Sequence, residues 1–495
     1  MKKTYMKAAV SLALLMGLTG CGDKFLESNI YDGIDSETAL DNVKNVGYAL
    51  NGTYYRLHQY YFAGNYSTMI GDIASDISYW NTKTGHFDDI YRFSPRSTNT
   101  YLKDIWNYGY KVVDNSSRVI KAGKTLSPGV SGDEKATLDL YVAEAYALRG
   151  YADLVLLNVF GHQVKVNGTD YSSQPGIVIV DEPVEAFSNV KRSSVGECYA
   201  SVVSDLKKSL EYFDAAGFDR GDVTKMNPAA VWALLARTYC YLEDWKNAAD
   251  AADKALELKG ISSLADTPDA YAALYAGGTS NTESFFTLGI NTTTNWSANS
   301  CGTLWTNYGY SPSPWLQSVM AEDDCRRAVW GWGAENTPQT PYFNGGKFYA
   351  PAYGGNTACA TNYIINAPEM FLIKAEALAH QPQASVADVQ AALLTVARRN
   401  PAIASASDLP ATKADLLTFL HDERARELFQ EGLRLYDLRR WGLKVNVYAT
   451  GAPAIQWLVK DYQVANAVFP IPDAEVNAGY GVTQTPDWTS GFPNM

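Results

Sequence analysis

Asn227–Leu258, NPAAVWALLARTYCYLEDWKNAADAADKALEL, is the stretch on which the fold turns. Asn227 is suited to cap a helix start, and Pro228 suits the first turn, where a missing N–H costs nothing. Trp232, Leu235, Ala236 and Tyr239 then fall at i, i+3, i+4 and i+7 and make one apolar stripe. After a break at Glu243-Asp244, Trp245, Ala248, Ala249, Ala252 and Leu256 make a second stripe, and Gly260 supplies the stop. Large residues on one helix facing small ones on the next predict a tetratricopeptide-type hairpin. A single hairpin cannot bury its own apolar face, so neighbours must stack on it.

Outward from this stretch, helical periodicity recurs at uneven intervals. Leu40, Val43, Val46, Leu50, Tyr54 and Leu57 keep the period, as do Asp104–Ala122, Tyr141–Val155 (ending near Gly161) and Val195–Phe213. Ala367–His380 pairs with Val386–Arg399, and Asp415–Trp441 is a last, strongly charged helix or pair. Two stretches carry no sustained period, Gly64–Lys103 and Ile261–Asn366, and loops of that length are usually functional or disordered. Ile177–Val180 predicts a small strand or an extended loop. The expected fold is mainly α: a tetratricopeptide-like helical-hairpin scaffold with irregular, loop-rich insertions at about 64–103 and 261–366.

The first residues read as a targeting segment. Lys2, Lys3 and Lys7 precede the apolar run Ala8–Leu18, which is shorter than the about 20 residues a bilayer span needs. Leu18-Thr19-Gly20-Cys21 looks like a bacterial lipobox, in which the Cys is acylated and becomes the new N-terminus. Residues 1–20 are thus expected to be a lipoprotein signal peptide, 21–37 a tether and 38–495 a single domain. The formal charge of −12 argues against nucleic acid, which needs a basic footprint, and leaves the acyl chains to do the anchoring.

Cys198 and Cys240 lie on apolar helical faces and read as small buried thiols, while a bridge among Cys301, Cys325 and Cys359 stays open. The five histidines show no HExxH spacing, and neither GxSxG nor a phosphate loop is present. Asp72/Asp76 and Asp323/Asp324 are carboxylate pairs of the kind that flank a glycosidic bond, but among 53 acidic residues such pairs arise by chance. No catalytic residue, metal or cofactor is expected. Glu423/Arg426, Glu427/Arg424 and Glu431/Arg434 stand at helical neighbour spacings and are expected to support their own helix.

Several segments, in order along the chain, carry a family resemblance. They are Cys21-Gly22-Asp23-Lys24-Phe25-Leu26-Glu27, then Ala143-Glu144-Ala145-Tyr146-Ala147-Leu148-Arg149-Gly150 running on to Val159-Phe160-Gly161. Pro368-Glu369-Met370 and Lys374-Ala375-Glu376-Ala377-Leu378 follow, then Glu423-Arg424-Ala425-Arg426-Glu427-Leu428-Phe429-Gln430-Glu431-Gly432 and Tyr436-Asp437-Leu438-Arg439-Arg440-Trp441. Phe469-Pro470-Ile471-Pro472-Asp473-Ala474-Glu475-Val476-Asn477 closes the set. Together they resemble the SusD/RagB family, surface lipoproteins of Bacteroidetes nutrient-uptake systems. The resemblance implies four tetratricopeptide-like pairs, binding of a glycan or sometimes a peptide, and no enzymatic activity. It also implies a SusC-like TonB-dependent transporter as partner and a lipid-anchored place on the outer-membrane surface, with Asp23 and Glu27 resembling the export signal.

The composition bears on the ligand. The chain holds 33 Tyr and 12 Trp, residues suited to half-exposed contact surfaces. A sugar ring offers an apolar C–H face for an aromatic plane and an equator of hydroxyls for polar side chains. Asp76, Trp80 and Asn81 bring these types together in the first insertion, and Trp296, Trp305, Tyr308, Trp330 and Trp332 do so in the second. These are the expected oligosaccharide contacts. The alternative is that these rings form satellite clusters that pin long loops. A peptide-binding importer subunit, a surface glycoside hydrolase and a scaffold for protein partners are the competing functions.

Overall fold

The computed structural model describes residues 39–486, apart from 83, 93, 167–168, 186, 332–342, 450–455 and 464–467. The expected signal peptide, Cys21, the tether and Trp332 lie outside the described residues. Helices of seven residues or more are α1 Val43–Leu57, α2 Tyr66–Ile73, α3 Thr100–Leu126, α4 Gly132–Phe160, α5 Val195–Ala216 and α6 Pro228–Tyr241. They continue as α7 Trp245–Lys259, α8 Pro268–Leu274, α9 Ala367–His380, α10 Val386–Ala397, α11 Lys413–Glu427 and α12 Arg434–Arg440. Helix α1 packs on α3, α4 on α5, α6 on α7 and α9 on α10. These four pairs lean on one another through α3–α4, α5–α6 and α7–α9, and α11 closes the row against α9 and α10.

The hairpin that decides the fold forms as its sequence dictates. The Asn227 side chain accepts from the Ala230 amide at 3.0 Å, Pro228 sits in the first turn, and Gly260 ends α7 in the left-handed region. Ala248, Ala249, Ala252 and Leu256 are buried, and Trp232 and Trp245 are half-buried at the margin. The chain is mainly helical, with a tetratricopeptide-like frame. Among the described residues no helix is long and apolar enough to cross a membrane.

The first insertion is more ordered than its sequence implies. It contains α2, the strand β1 Ser78–Trp80 and the start of α3, where Asn99 accepts from the Leu102 amide at 2.9 Å. Helix α2 (YSTMIGDI) is buried on every side and only eight residues long, too short for a period to stand out against its loop-like surroundings. In the second insertion, β2 Ser284–Leu288 pairs antiparallel with β4 Asn362–Asn366, and β3 Tyr310–Pro312 pairs antiparallel with β1. Ile177–Val180 is extended and pinned by the Ser117 hydroxyl, which donates to the Val180 carbonyl at 2.7 Å. Cys198, Cys240, Cys301, Cys325 and Cys359 are all buried and free.

The charged run departs from expectation. Of the three expected pairs, Glu423/Arg426 forms, at 2.7 Å. The other charges reach across the core. Arg326 meets Asp324 and Glu423, each at 2.7 Å, while Lys347 meets Glu431 at 2.7 Å and Arg424 meets Asp437 at 2.7 Å. Arg399 bridges Glu283 at 2.5 Å and Glu427 at 3.3 Å, and Arg440 holds Glu376 at 2.6 Å. These groups are buried, so each charge depends on its partner, which except for the neighbouring pair Arg326–Asp324 lies in another element. Burial alone would raise the Glu376 and Glu423 carboxyls. Arg440 beside the first, and Arg326 and Arg426 beside the second, hold both down at about 2.

Candidate functional site

The site begins on α1. Val43, Val46, Leu50, Tyr54 and Leu57 face the core, and the opposite side carries Tyr48 and Tyr55, each 58% exposed. Tyr54 locks the helix in place, since its hydroxyl donates to Glu144 at 2.6 Å and accepts from the Met226 amide at 2.9 Å. Past Leu57 the chain folds into a tight turn in which the Phe62 and Gly64 amides donate to the Gln59 carbonyl at 2.9 and 3.0 Å. A Cβ on Gly64 would stand 2.3 Å from the His58 carbonyl oxygen, so only glycine closes this turn.

The turn sets Tyr60 and Tyr61 side by side, with ring centroids 3.9 Å apart. Tyr61 stacks on Tyr108 of α3 at 4.5 Å and 25°, and Tyr60 lies 5.9 Å from Trp296. The result is a ribbon of half-buried rings, Trp296–Tyr60–Tyr61–Tyr108, drawn from three separate parts of the chain.

Trp296 is positioned from both sides. Its indole N–H donates to the His58 carbonyl at 2.8 Å, and its amide donates to Ser300 Oγ at 3.2 Å. The loop before it is shaped by Asn291, whose side-chain oxygen accepts from the Thr293 and Thr294 amides at 2.8 and 3.0 Å. Strand β2 delivers this loop to α1, where His58 Nε2 lies 3.2 Å from the Gly289 carbonyl oxygen. That contact requires Nε2 to carry the proton, and burial lowers the His58 pKa and keeps the ring neutral.

Between α1 and the loop opens a cavity of about 560 Å³, walled by Asn51, Tyr55, His58, Lys225 and Trp296, with Thr287–Gly289 behind. The volume lies within the range of ligand sites, about 300–1,000 Å³. Exposed ring faces next to amide and hydroxyl groups suit a ligand with apolar C–H faces and a hydroxylated rim.

Most of the expected contacts lie elsewhere. Strands β1 and β3 do bring the two insertions together, but facing inward. Trp80, Trp305, Tyr308 and Trp330 are buried, at 3%, 0%, 7% and 7% exposure, so these four are core rings and offer no face to a ligand. Trp305 donates to the Met69 sulfur at 3.1 Å and packs on Phe429, as does Trp330. Trp80 packs against Tyr91 and Tyr310, and Tyr308 stacks on His86 at 3.7 Å. Asp76 is held by Arg434 through two bonds of 2.8 and 2.9 Å. Asn81 is half-buried beyond the end of β1, its amide donating to the Gly309 carbonyl at 3.0 Å. Of the expected set, Trp296 lines the cavity.

His58, Tyr60, Tyr61 and Tyr108 were not anticipated. For Tyr60 and Tyr61 the signal is Gln59-Tyr60-Tyr61-Phe62, adjacent aromatics just past a helix end where no stripe accounts for them, whereas Tyr108 sits within the helical period of 104–122. A second cleft of about 290 Å³ lies among α7, α9, α11 and α12, but its indoles are already covered. His380 stacks on Trp245 at 4.3 Å and His421 on Trp441 at 3.8 Å.

Residues 23–240 match a family described as "Starch-binding associating with outer membrane", and residues 335–488 match one described as "SusD family". No curated protein is significantly similar to the chain. Among solved structures, a SusD superfamily protein from Bacteroides thetaiotaomicron is similar at 21% identity and TM-score 0.76, over 90% of this chain and 100% of that one. A SusD superfamily protein from Bacteroides vulgatus has 23% identity and TM-score 0.77, over 90% and 99%. A SusD-like carbohydrate binding protein from Bacteroides vulgatus has 19% identity and TM-score 0.65, over 92% and 93%. At these identities the structural likeness speaks for the fold.

Proposed function

The chain belongs to the SusD/RagB family, and from that premise we propose that it is an oligosaccharide-binding lipoprotein that captures its ligand at the Trp296–Tyr60–Tyr61–Tyr108 ribbon. The observation that carries this reading is the ribbon itself: four half-buried rings, adjoining a cavity of about 560 Å³ walled by amide, hydroxyl and imidazole groups. Flat rings with few rotors lose little entropy on binding, and stacking adds to the hydrogen bonds a sugar rim makes. The site binds and does not turn its ligand over. One relative of the same fold bears the description "carbohydrate binding", which supports the same ligand class.

Placement follows the same reading. Cys21 carries the lipid, the protein sits on the outer-membrane surface, and a SusC-like TonB-dependent transporter receives the captured glycan. Isothermal titration of the mature protein against polysaccharide and peptide panels tests the ligand. Binding of an oligosaccharide, weakened in Tyr60→Ala and Trp296→Ala, is the expected result. Binding confined to peptides, or release of product from a glycan, contradicts it. Co-purification of a TonB-dependent barrel from detergent-solubilised outer membranes tests the partner.

A further inference from the structure

The cavity beside the ribbon carries one formal charge. Among the described residues lining it, Lys225 is the cation and no carboxylate is present. Its ammonium lies 4.1 Å from the centre of the Tyr54 ring, and no carboxylate stands within ion-pair distance of it among the described residues. The two acids whose charge reaches it, Glu144 and Asp222, are hydrogen-bonded elsewhere. Glu144 is held by Arg220 at 2.5 Å and by the Tyr54 hydroxyl. Asp222 turns back on its own loop, accepting from the Thr224 amide and hydroxyl at 2.8 and 2.9 Å. Arg220 adds positive charge behind the same wall.

The far end of the ribbon repeats the pattern. Lys111 lies 4.0 Å over the Tyr108 ring with Arg56 close by, and Asp104 is the carboxylate that faces them. Both lysines are held by ring faces, and burial lowers the pKa of each, as expected where an ammonium lacks full compensation. In a chain of net charge −12, a binding face whose lysines make no ion pair among the described residues is a local reversal of sign.

We propose that this site takes an anionic oligosaccharide, with Lys225 pairing a uronate carboxylate or a sulfate ester while a ring of the sugar stacks on Trp296. The proposal rests on the oligosaccharide reading above and names the ligand class within it. Lys225 is then a specificity residue: it distinguishes charged from neutral glycans and leaves the stacking contact common to both.

The test is titration of the mature protein with four probes: oligogalacturonate, its carboxyl-reduced neutral counterpart, a carrageenan oligosaccharide bearing sulfate only, and a neutral set of gluco-, xylo- and manno-oligosaccharides. One anionic probe is expected to bind about ten- to a hundredfold more tightly than the neutral sugars, and the margin should shrink as salt rises. Which one binds decides between carboxylate and sulfate. Lys225→Met should remove that margin by bringing the anionic probe down to the affinity of the neutral sugars, and Lys225→Arg should restore most of it. If neutral glycans bind best and Lys225→Met changes nothing, this inference is overturned while the oligosaccharide reading stands. If no glycan of either kind binds, the oligosaccharide reading fails and takes this one with it.

Discussion

Trp296 and Trp305 are the same side chain nine positions apart, and the fold gives them opposite tasks. Trp305 is fully buried between Met69 and Phe429, whereas Trp296 is half-buried on a cavity wall and tied by its indole N–H to the His58 carbonyl. Trp305→Ala should therefore cost about 3–5 kcal/mol of stability. Trp296→Ala should leave the urea midpoint almost unchanged and weaken oligosaccharide binding about five- to tenfold. Equal losses of stability in the two variants would contradict this assignment. Gly432 makes a stricter demand: it sits at φ +74°, and a Cβ there would stand 1.6 Å from the Thr68 carbonyl oxygen. Gly432→Ala should destabilise by on the order of 3 kcal/mol or more, read as a lowered urea midpoint or a failure to accumulate folded protein. At this scale the site was only partly legible. Composition identifies a surplus of aromatics, but which ring keeps an open face depends on partners distant in sequence, as Trp80 beside Tyr310 illustrates.

At the scale of elements, α11 and α12 hold the frame by burying charge. Glu376 on α9 receives Arg440 through two bonds of 2.6 and 2.7 Å and the Trp441 indole at 2.7 Å. Its carboxyl lies at about 2 against an ordinary 4.5, so its contribution is complete above about pH 4.5 and is lost as pH falls toward 2. Glu376→Gln should cost about 3 kcal/mol at neutral pH because buried Arg440 is left with Asp437 alone, a carboxylate it shares with Arg424. It should also flatten the fall of the urea midpoint between about pH 5 and pH 3. Parallel pH profiles for the two proteins would contradict the assignment. The helices themselves were legible where one face is apolar and the other wet, as in α1 and α7. They were hidden where the helix is short, as in the eight residues of α2, because a period needs several turns to declare itself. Helical spacing among the charges of 423–440 was visible, but their partners Arg326, Lys347 and Asp76 come from the insertions, and no local period reports those contacts.

At the scale of the whole molecule, a row of helical pairs carries a loop-built face whose rings come from the end of α1, from α3 and from the 289–300 loop. The order of motifs along the chain made the family legible from sequence, whereas the ligand face was not, because it is assembled from segments far apart in the chain. In the proposed placement, acylation at Cys21 would anchor a chain whose net charge of −12 gives it no electrostatic hold on an anionic surface. Cys21→Ala should move the protein from the detergent phase to the aqueous phase on partitioning, with oligosaccharide affinity unchanged. Retention in the detergent phase would contradict the anchor. The central claim is that a sugar is gripped where Trp296, Tyr60 and α1 meet. A crystal structure with the tightest-binding oligosaccharide of the panel tests it most directly. The account predicts a sugar ring lying flat on Trp296 with its rim facing the Asn51–Tyr55–Lys225 wall; a ligand lodged instead in the cleft of Trp245 and Trp441, with the ribbon bare, would contradict it.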